Sequence, residues 1–252
     1  MAEFNYIIIG AGGIGNAISY CLSSIGAKNI MIIDKDIVEK SNLNRQFLFT
    51  KNDIGKYKTE VLRDSLKNRF DNLNITDLNL DISIKFEYKK FIEILEKKSF
   101  FKSLVILSAD ELDIIKLTNL ICVKNSIPLI NLGYFNNVSA VGPFYIPSIV
   151  NSSCLFCDNE KVELNLNNID EVILDINNYS KMVPSWYVNN SIAVSIAAEE
   201  IINFVDNRID KIQSISKKIA VSNNNFEKAL FDFNKNIKCK FCGPKSKETY
   251  NI

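Results

Sequence analysis

The chain contains no histidine. That one absence removes histidine-based acid/base triads, imidazole metal ligands and imidazole pH switches together. Arginine is also scarce: among 30 basic residues only Arg45, Arg63, Arg69 and Arg208 carry a guanidinium. There is no excess charge of either sign, with 30 basic against 29 acidic residues, so nothing favours nucleic acid or an anionic membrane surface as a partner. No apolar run reaches the length of a membrane span. A strand pattern begins within the first few residues, so no signal peptide is expected, and the chain reads as soluble and cytoplasmic. Tryptophan occurs once, at Trp186. The six cysteines of such a chain are expected to be thiols or metal ligands rather than disulfides.

What is present is enough for one large domain. The 252 residues are 47% hydrophobic and 23% charged, sufficient to bury a sizeable core. Residues 5–9 (NYIII) read as a buried strand, Ile14, Ile18, Leu22 and Ile25 repeat at helical spacing, and residues 29–34 (NIMIID) read as a second strand. Together they form a βαβ unit. Val61, Leu62, Leu66 and Phe70 mark a helix, residues 75–80 a possible third strand, and residues 104–108 a strand buried on both faces. A helix over 111–125 and a strand from Ile127 follow. The alternation predicts a doubly wound, Rossmann-like α/β core over 1–135 with a mostly parallel sheet. Beyond residue 135 the pattern changes to an antiparallel extension, a polar loop over 158–188 and a helix near 190–205, all within a single domain, 1–252. The loop is a candidate lid, closed by Trp186 and Tyr187, whose expected role is core packing.

Gly10, Gly12 and Gly15 follow the first strand and open the helix. Glycine there lets backbone approach a phosphate, and the helix terminus offers free N–H groups. Asp34, at the end of the second strand, sits where a carboxylate meets ribose hydroxyls. The bland alternative is a turn that only packs helix on strand. A dinucleotide and ATP both remain open at this point. The string from Asp34 to Gln46 (DKDIVEKSNLNRQ) narrows the choice. An oxidoreductase has no need of an arginine here, whereas Arg45 can fork onto phosphate oxygens as charge develops on them, and Asn42 can donate to the same groups.

This pattern resembles the ThiF/MoeB/HesA family, bacterial relatives of ubiquitin-activating enzymes, from Gly10 to Gly243. The family motifs G-x-G-G-[LI]-G and D-x-D-x-V-x-x-S-N-L-x-R-Q are both present, followed by the lysine of G-x-x-K at Lys58 and an aspartate after the fourth strand at Asp110. The resemblance implies ATP binding by Gly10, Gly12, Gly13, Gly15, Asp34, Asp36, Asn42, Arg45, Gln46 and Lys58. It implies magnesium at Asp110, and catalysis by Arg45, Lys58 and Asp110. Lys56 is a nearby rival for Lys58. Glu111 stands where the family often has asparagine, and reads as an extra ligand, a helix-start charge or drift. Relatives commonly carry an earlier arginine that reaches the partner subunit's site; no arginine here precedes Arg45, so either another residue such as Arg63 does that work or the site differs.

Two C-x-x-C pairs, Cys154/Cys157 and Cys239/Cys242, fit a closed tetrahedral zinc site, structural because no coordination position stays open. This is also the family's structural zinc site. Cys21 and Cys122 read as core thiols. Residues 158–238 contain no cysteine, so no thioester step is expected. The implied function is ATP-dependent adenylation of a carboxylate with release of pyrophosphate. The substrate would be the C-terminus of a ubiquitin-like sulfur carrier, a peptide, or a small-molecule acid, and a homodimer is expected by resemblance. A non-catalytic subunit of an activating complex and an NAD(P)-binding oxidoreductase are the alternatives.

Overall fold

The computed structural model describes residues 1–97, 102–157 and 186–244. Most of the loop expected over 158–188 therefore lies outside the described residues. One sheet of eight strands runs in the order β3-β2-β1-β4-β5-β6-β7-β8. Its strands are β1 (Asn5–Ile9), β2 (Asn29–Asp34), β3 (Asn74–Asn79), β4 (Ser103–Leu107), β5 (Leu129–Phe135), β6 (Val138–Tyr145), β7 (Lys217–Ser222) and β8 (Lys228–Asp232). The first five are mutually parallel and the last three are added antiparallel. The doubly wound core and its antiparallel extension are thus as the sequence predicts. β5 is the hinge strand, parallel to β4 on one side and antiparallel to β6 on the other.

The helices are α1 (Gly13–Ser24), α2 (Lys58–Lys67), α3 (Lys85–Lys97), α4 (Leu112–Lys124) and α5 (Tyr187–Val205). The apolar runs of the central strands have a simple cause. In β1, Tyr6 and Ile8 face the cluster shared with α1, α2 and α5, whereas Ile7 and Ile9 face the cluster shared with α3 and α4. β2 and β4 alternate in the same way, with Ile30, Ile32, Leu104 and Ile106 on one side and Met31, Ile33, Val105 and Leu107 on the other. A strand covered on both faces gains from every residue, about 1.5–3 kcal/mol for each fully buried Ile, Leu or Val. Cys122 is wholly buried in the α4 cluster, as expected of a core thiol, and Cys21 is partly buried against the α1 cluster.

Two expectations are revised. The helix α3 has no clear apolar period in the sequence, yet Phe91, with Ile92 and Ile94 beside it, packs against one face of the sheet. Trp186 and Tyr187 are not core residues: they are 64% and 48% exposed, at the start of α5. Tyr187 packs edge-on to Phe47, with ring centroids 5.7 Å apart, and Phe47 in turn meets Tyr20. The helix begins where Trp186 takes an extended conformation, so both rings project from its open first turn rather than from its buried middle.

Candidate active site

The site forms at the carboxyl edge of the sheet, where β1 has β2 on one side and β4 on the other. This is the strand-order reversal at which open α/β sheets hold ligands. Gly10 leaves β1 with φ +97°, a conformation that side chains disfavour. A Cβ on Gly15 would lie 1.9 Å from the Gly10 carbonyl oxygen, so α1 can press onto β1 only without one. A Cβ on Gly13 would lie 2.1 Å from Nδ2 of Asn190 on α5. Of the four glycines in this loop, Gly12 is the one with open space around it. It is the N-cap of α1, with no side chain capping it and no acidic residue in the first turn, so no residue of the helix itself offsets its positive end.

These differences predict contrasting outcomes. Gly15→Ala collides with backbone and is expected to cost about 3 kcal/mol or more, lowering the melting temperature by at least about 6 °C. Gly12→Ala should fold normally and lose nucleotide affinity. Calorimetry of both variants, with and without nucleotide, checks the pair; equal melting of the two would contradict the packing role of Gly15.

Asp34 braces the glycine loop. One carboxylate oxygen accepts from the Ala11 amide at 2.6 Å and the other from the Asp36 amide at 2.7 Å. Burial pushes its carboxyl pKa above the usual range, opposed by the Lys58 ammonium and the two backbone donors. Lys58 is the first residue of α2, where a cation opposes the helix dipole. Its ammonium is offset by Asp36, with Nζ to Oδ2 at 2.7 Å, and its side chain is only 9% exposed against 52% for Asp36. The Lys58 amide also donates to the Asp36 carbonyl oxygen at 3.0 Å. Lys56, the rival lysine, points elsewhere and pairs with Asp53 at 2.9 Å.

Asn42 ends a short 3-10 turn (Lys40–Asn42) and is buried; its Oδ1 accepts from the Glu39 amide at 2.9 Å. Arg45 is half-buried, its Nη1 donating to the Ser41 carbonyl at 2.9 Å and to Asn44 Oδ1 at 3.0 Å. Gln46 is 2% exposed, and its Oε1 finds no partner among the described residues. Asn16, fully buried in α1, accepts from the Leu48 amide at 3.2 Å, and its Nδ2 is likewise unpartnered. Asn16 has no signature in the sequence, because an asparagine between apolar residues of a helix carries no periodic signal.

Asp110 follows β4, is exposed, and makes no hydrogen bond or ion pair among the described residues. Its neighbour Ser108 donates to the carbonyls of Ile9 and Gly10 at 3.1 and 3.0 Å, tying the end of β4 to the glycine loop. Glu111, just before α4, is bound to Lys35 at 2.8 Å, and Lys35 also reaches Asp81 at 3.2 Å. Glu111 therefore bridges α4 to the end of β2. Arg63 is likewise engaged, forked between Asp64 and Asp77 at 2.8 Å each.

The four cysteines expected to bind metal converge: their sulfurs all lie within 4.8 Å of one another. Cys154–Cys239 is 3.7 Å, Cys154–Cys157 is 3.9 Å and Cys157–Cys242 is 3.3 Å. Four sulfurs about 2.3 Å from a central zinc are about 3.8 Å apart, so the donor set and its size fit that ion. Crowding divides the thiols: hydrogen bonds from the neighbouring thiols lower Cys242 and Cys239, whereas Cys154 is pushed up. Asn119 of α4 accepts from the Leu155 amide at 3.0 Å, and the rings of Phe156 and Phe241 stack at 4.6 Å. Asn119, which the sequence did not reveal, thus anchors the first cysteine turn to the core.

The ThiF family matches residues 1–241. The chain belongs to the ThiF family. Among solved structures, E. coli MccB with ATP has a TM-score of 0.78 at 28% identity, covering 96% of this chain and 67% of that one. The microcin C7 biosynthetic enzyme MccB in complex with N-formylated MccA has a TM-score of 0.79 at 28% identity, covering 96% and 68%. The NEDD8-activating enzyme E1 catalytic subunit of Dictyostelium discoideum is 42% identical over 91 residues, 35% of this chain and 21% of that protein. SUMO-activating enzyme subunit 2 of the same organism is 35% identical over 141 residues, 54% of this chain and 20% of that protein. The matches therefore span about a fifth of these longer relatives. No helix among the described residues of this ThiF-family chain is long and apolar enough to cross a membrane.

Proposed function

We propose that this protein is an ATP-dependent adenylyltransferase that activates a carboxylate as an acyl-adenylate and releases pyrophosphate. The observation that carries this reading is the convergence of the open glycine loop, Asp34, Lys58 and Asp110 on one edge of the sheet. The likeness to MccB, solved with ATP, supports it.

In this reading the phosphates rest on the α1 amides, and Asp34 takes the ribose. Arg45 exchanges its Ser41 contact for phosphate oxygens, and Lys58 is shared between Asp36 and the phosphate chain. Asp110 is the residue that would hold magnesium, which supplies charge neutralisation when bound. The attacking carboxylate is already ionised, so no general base is required and the lack of histidine is no obstacle. Catalysis is positioning and charge neutralisation by fixed groups. No cysteine lies in residues 158–238, so the adenylate passes its acyl group directly to a later nucleophile. The four-cysteine site is structural zinc, and the working form is a homodimer in the cytoplasm.

The substrate is a peptide C-terminus, the tail of a ubiquitin-like carrier, or a small acid. ATP–pyrophosphate exchange against those three classes tests the proposal. Exchange with one of them establishes adenylation. ATP binding without exchange favours a partner-dependent subunit, and absence of ATP binding refutes the reading.

A further inference from the structure

A pocket of about 130 Å³ opens beside Asp110 on the α4 side of the sheet. Its walls come from four separate pieces of the fold. Leu112 and Ile115 are on the first turns of α4, Leu155 and Phe156 on the first cysteine turn, Pro143 on β6, and Phe233 just beyond β8. Asp110, Asn131 and Lys218 supply its polar edge. The Lys218 ammonium lies 6.0 Å from the centre of the Phe233 ring.

We infer that this pocket receives a branched aliphatic or aromatic side chain on the acyl end of the substrate, so that the substrate is an acid or peptide bearing such a group rather than a Gly-Gly tail. The inference rests on the adenylation reading above. Asp110 marks where the phosphates are held, so the carboxylate under activation lies at the mouth of the pocket. The side chain on the neighbouring carbon then has this apolar recess within reach. A cavity of roughly 150 Å³ lined by Leu, Ile and Phe accommodates benzene, so the volume here matches one leucine or phenylalanine side chain. A glycine would leave the recess between Leu112, Ile115 and Phe233 unfilled. A charged side chain would be desolvated against this apolar lining. Lys218, at the rim over Phe233, suits a carbonyl oxygen of the incoming chain. The arrangement also gives the cysteine cluster a second consequence, because the turn it fixes forms part of the pocket wall.

The test is methyl NMR on the full chain labelled at Ile, Leu and Val. The probes are N-acetyl-leucine, N-acetyl-phenylalanine and N-acetylglycine, each with Mg·AMP-CPP present. The expected result is millimolar, saturable shifts of Leu112, Ile115 and Leu155 with the first two probes and none with N-acetylglycine. Ile115→Trp, which fills the recess, should weaken the leucine probe about tenfold or more, read at Leu112 and Leu155. Ile115→Ala serves as a second variant should the larger residue impair folding; it should weaken the same probe in the same direction. Equal shifts with N-acetylglycine, or no shift with any probe, overturn the inference. The Ile14 methyl, in the first turn of α1, reports nucleotide separately. If AMP-CPP leaves it unmoved, the adenylation reading fails on its own, whatever the pocket does.

Discussion

Replacing Asp110 by alanine is expected to lower ATP–pyrophosphate exchange by at least about 10²–10³-fold, the scale seen when one fixed electrostatic partner of a reacting centre is lost. Folding should be untouched. Asp110 is exposed and has no polar partner among the described residues, and substitutions at such positions stay within about 0.5 kcal/mol. A residue with no structural work, placed beside the glycine loop by the Ser108 clamp on Gly10, is where a functional carboxylate is expected. Lys58→Ala provides a second arm. It removes a cation kept at the unfavourable end of α2, and should raise the KM for ATP and lower exchange together. Lys56→Ala, two residues earlier and held by Asp53 at the surface, should change neither. Retention of full exchange by Asp110→Ala, at normal melting temperature, would refute the site assignment.

Removing metal from the cysteine cluster is expected to destabilise the fold without acting on the chemistry directly. Zinc bound by four thiolates contributes roughly 10–16 kcal/mol in small peptides. This domain has a large core of its own, so a loss of about a third of that, ~4 kcal/mol, is the expected scale. At about 2–4 °C per kcal/mol the melting temperature falls by about 8–16 °C. Cys154→Ser should reproduce the effect, because that sulfur is fully buried and contacts two others of the four. The measurement is a melt with and without a chelator, with zinc counted by mass spectrometry. Stoichiometric zinc that leaves with no change in melting would refute the structural role. Exchange measured well below the lowered transition should keep most of its rate.

Much of the architecture was legible because it depends on local sequence. Runs such as residues 104–107 are continuous and apolar since both faces of β4 are covered. The two C-x-x-C turns announce themselves by spacing, although 85 residues separate Cys154 from Cys239. The glycine loop could be read because Gly10, Gly13 and Gly15 each answer a separate steric demand, and Gly12 between them keeps the motif spacing. What escaped depends on contacts distant in sequence. The helix α3 mixes its apolar residues with lysines and glutamates. Asn119 and Asn16 serve backbone amides far along the chain, and nothing in their neighbourhood marks them. The single tryptophan is one that size and rarity place inside. The structure leaves it outside because α5 turns its middle, not its first turn, toward the sheet. Arg63 could not be judged from sequence, since its partner Asp77 lies on another element.

The start of α5 is held from several directions. Asn189 donates to the Asn136 carbonyl at 2.6 Å and accepts from Asn223, while Ser139 donates to the Asn189 carbonyl at 2.9 Å. The next residue, Asn190, occupies the space that a side chain on Gly13 would need. The opening of α5 is thus geared to the phosphate loop through one amide and one missing methyl group. A rotation or shift of that first turn cannot be absorbed by slack, because none exists at Gly13. If nucleotide binds this loop as proposed, a shift of that first turn changes nucleotide affinity, and bound nucleotide stiffens the start of α5.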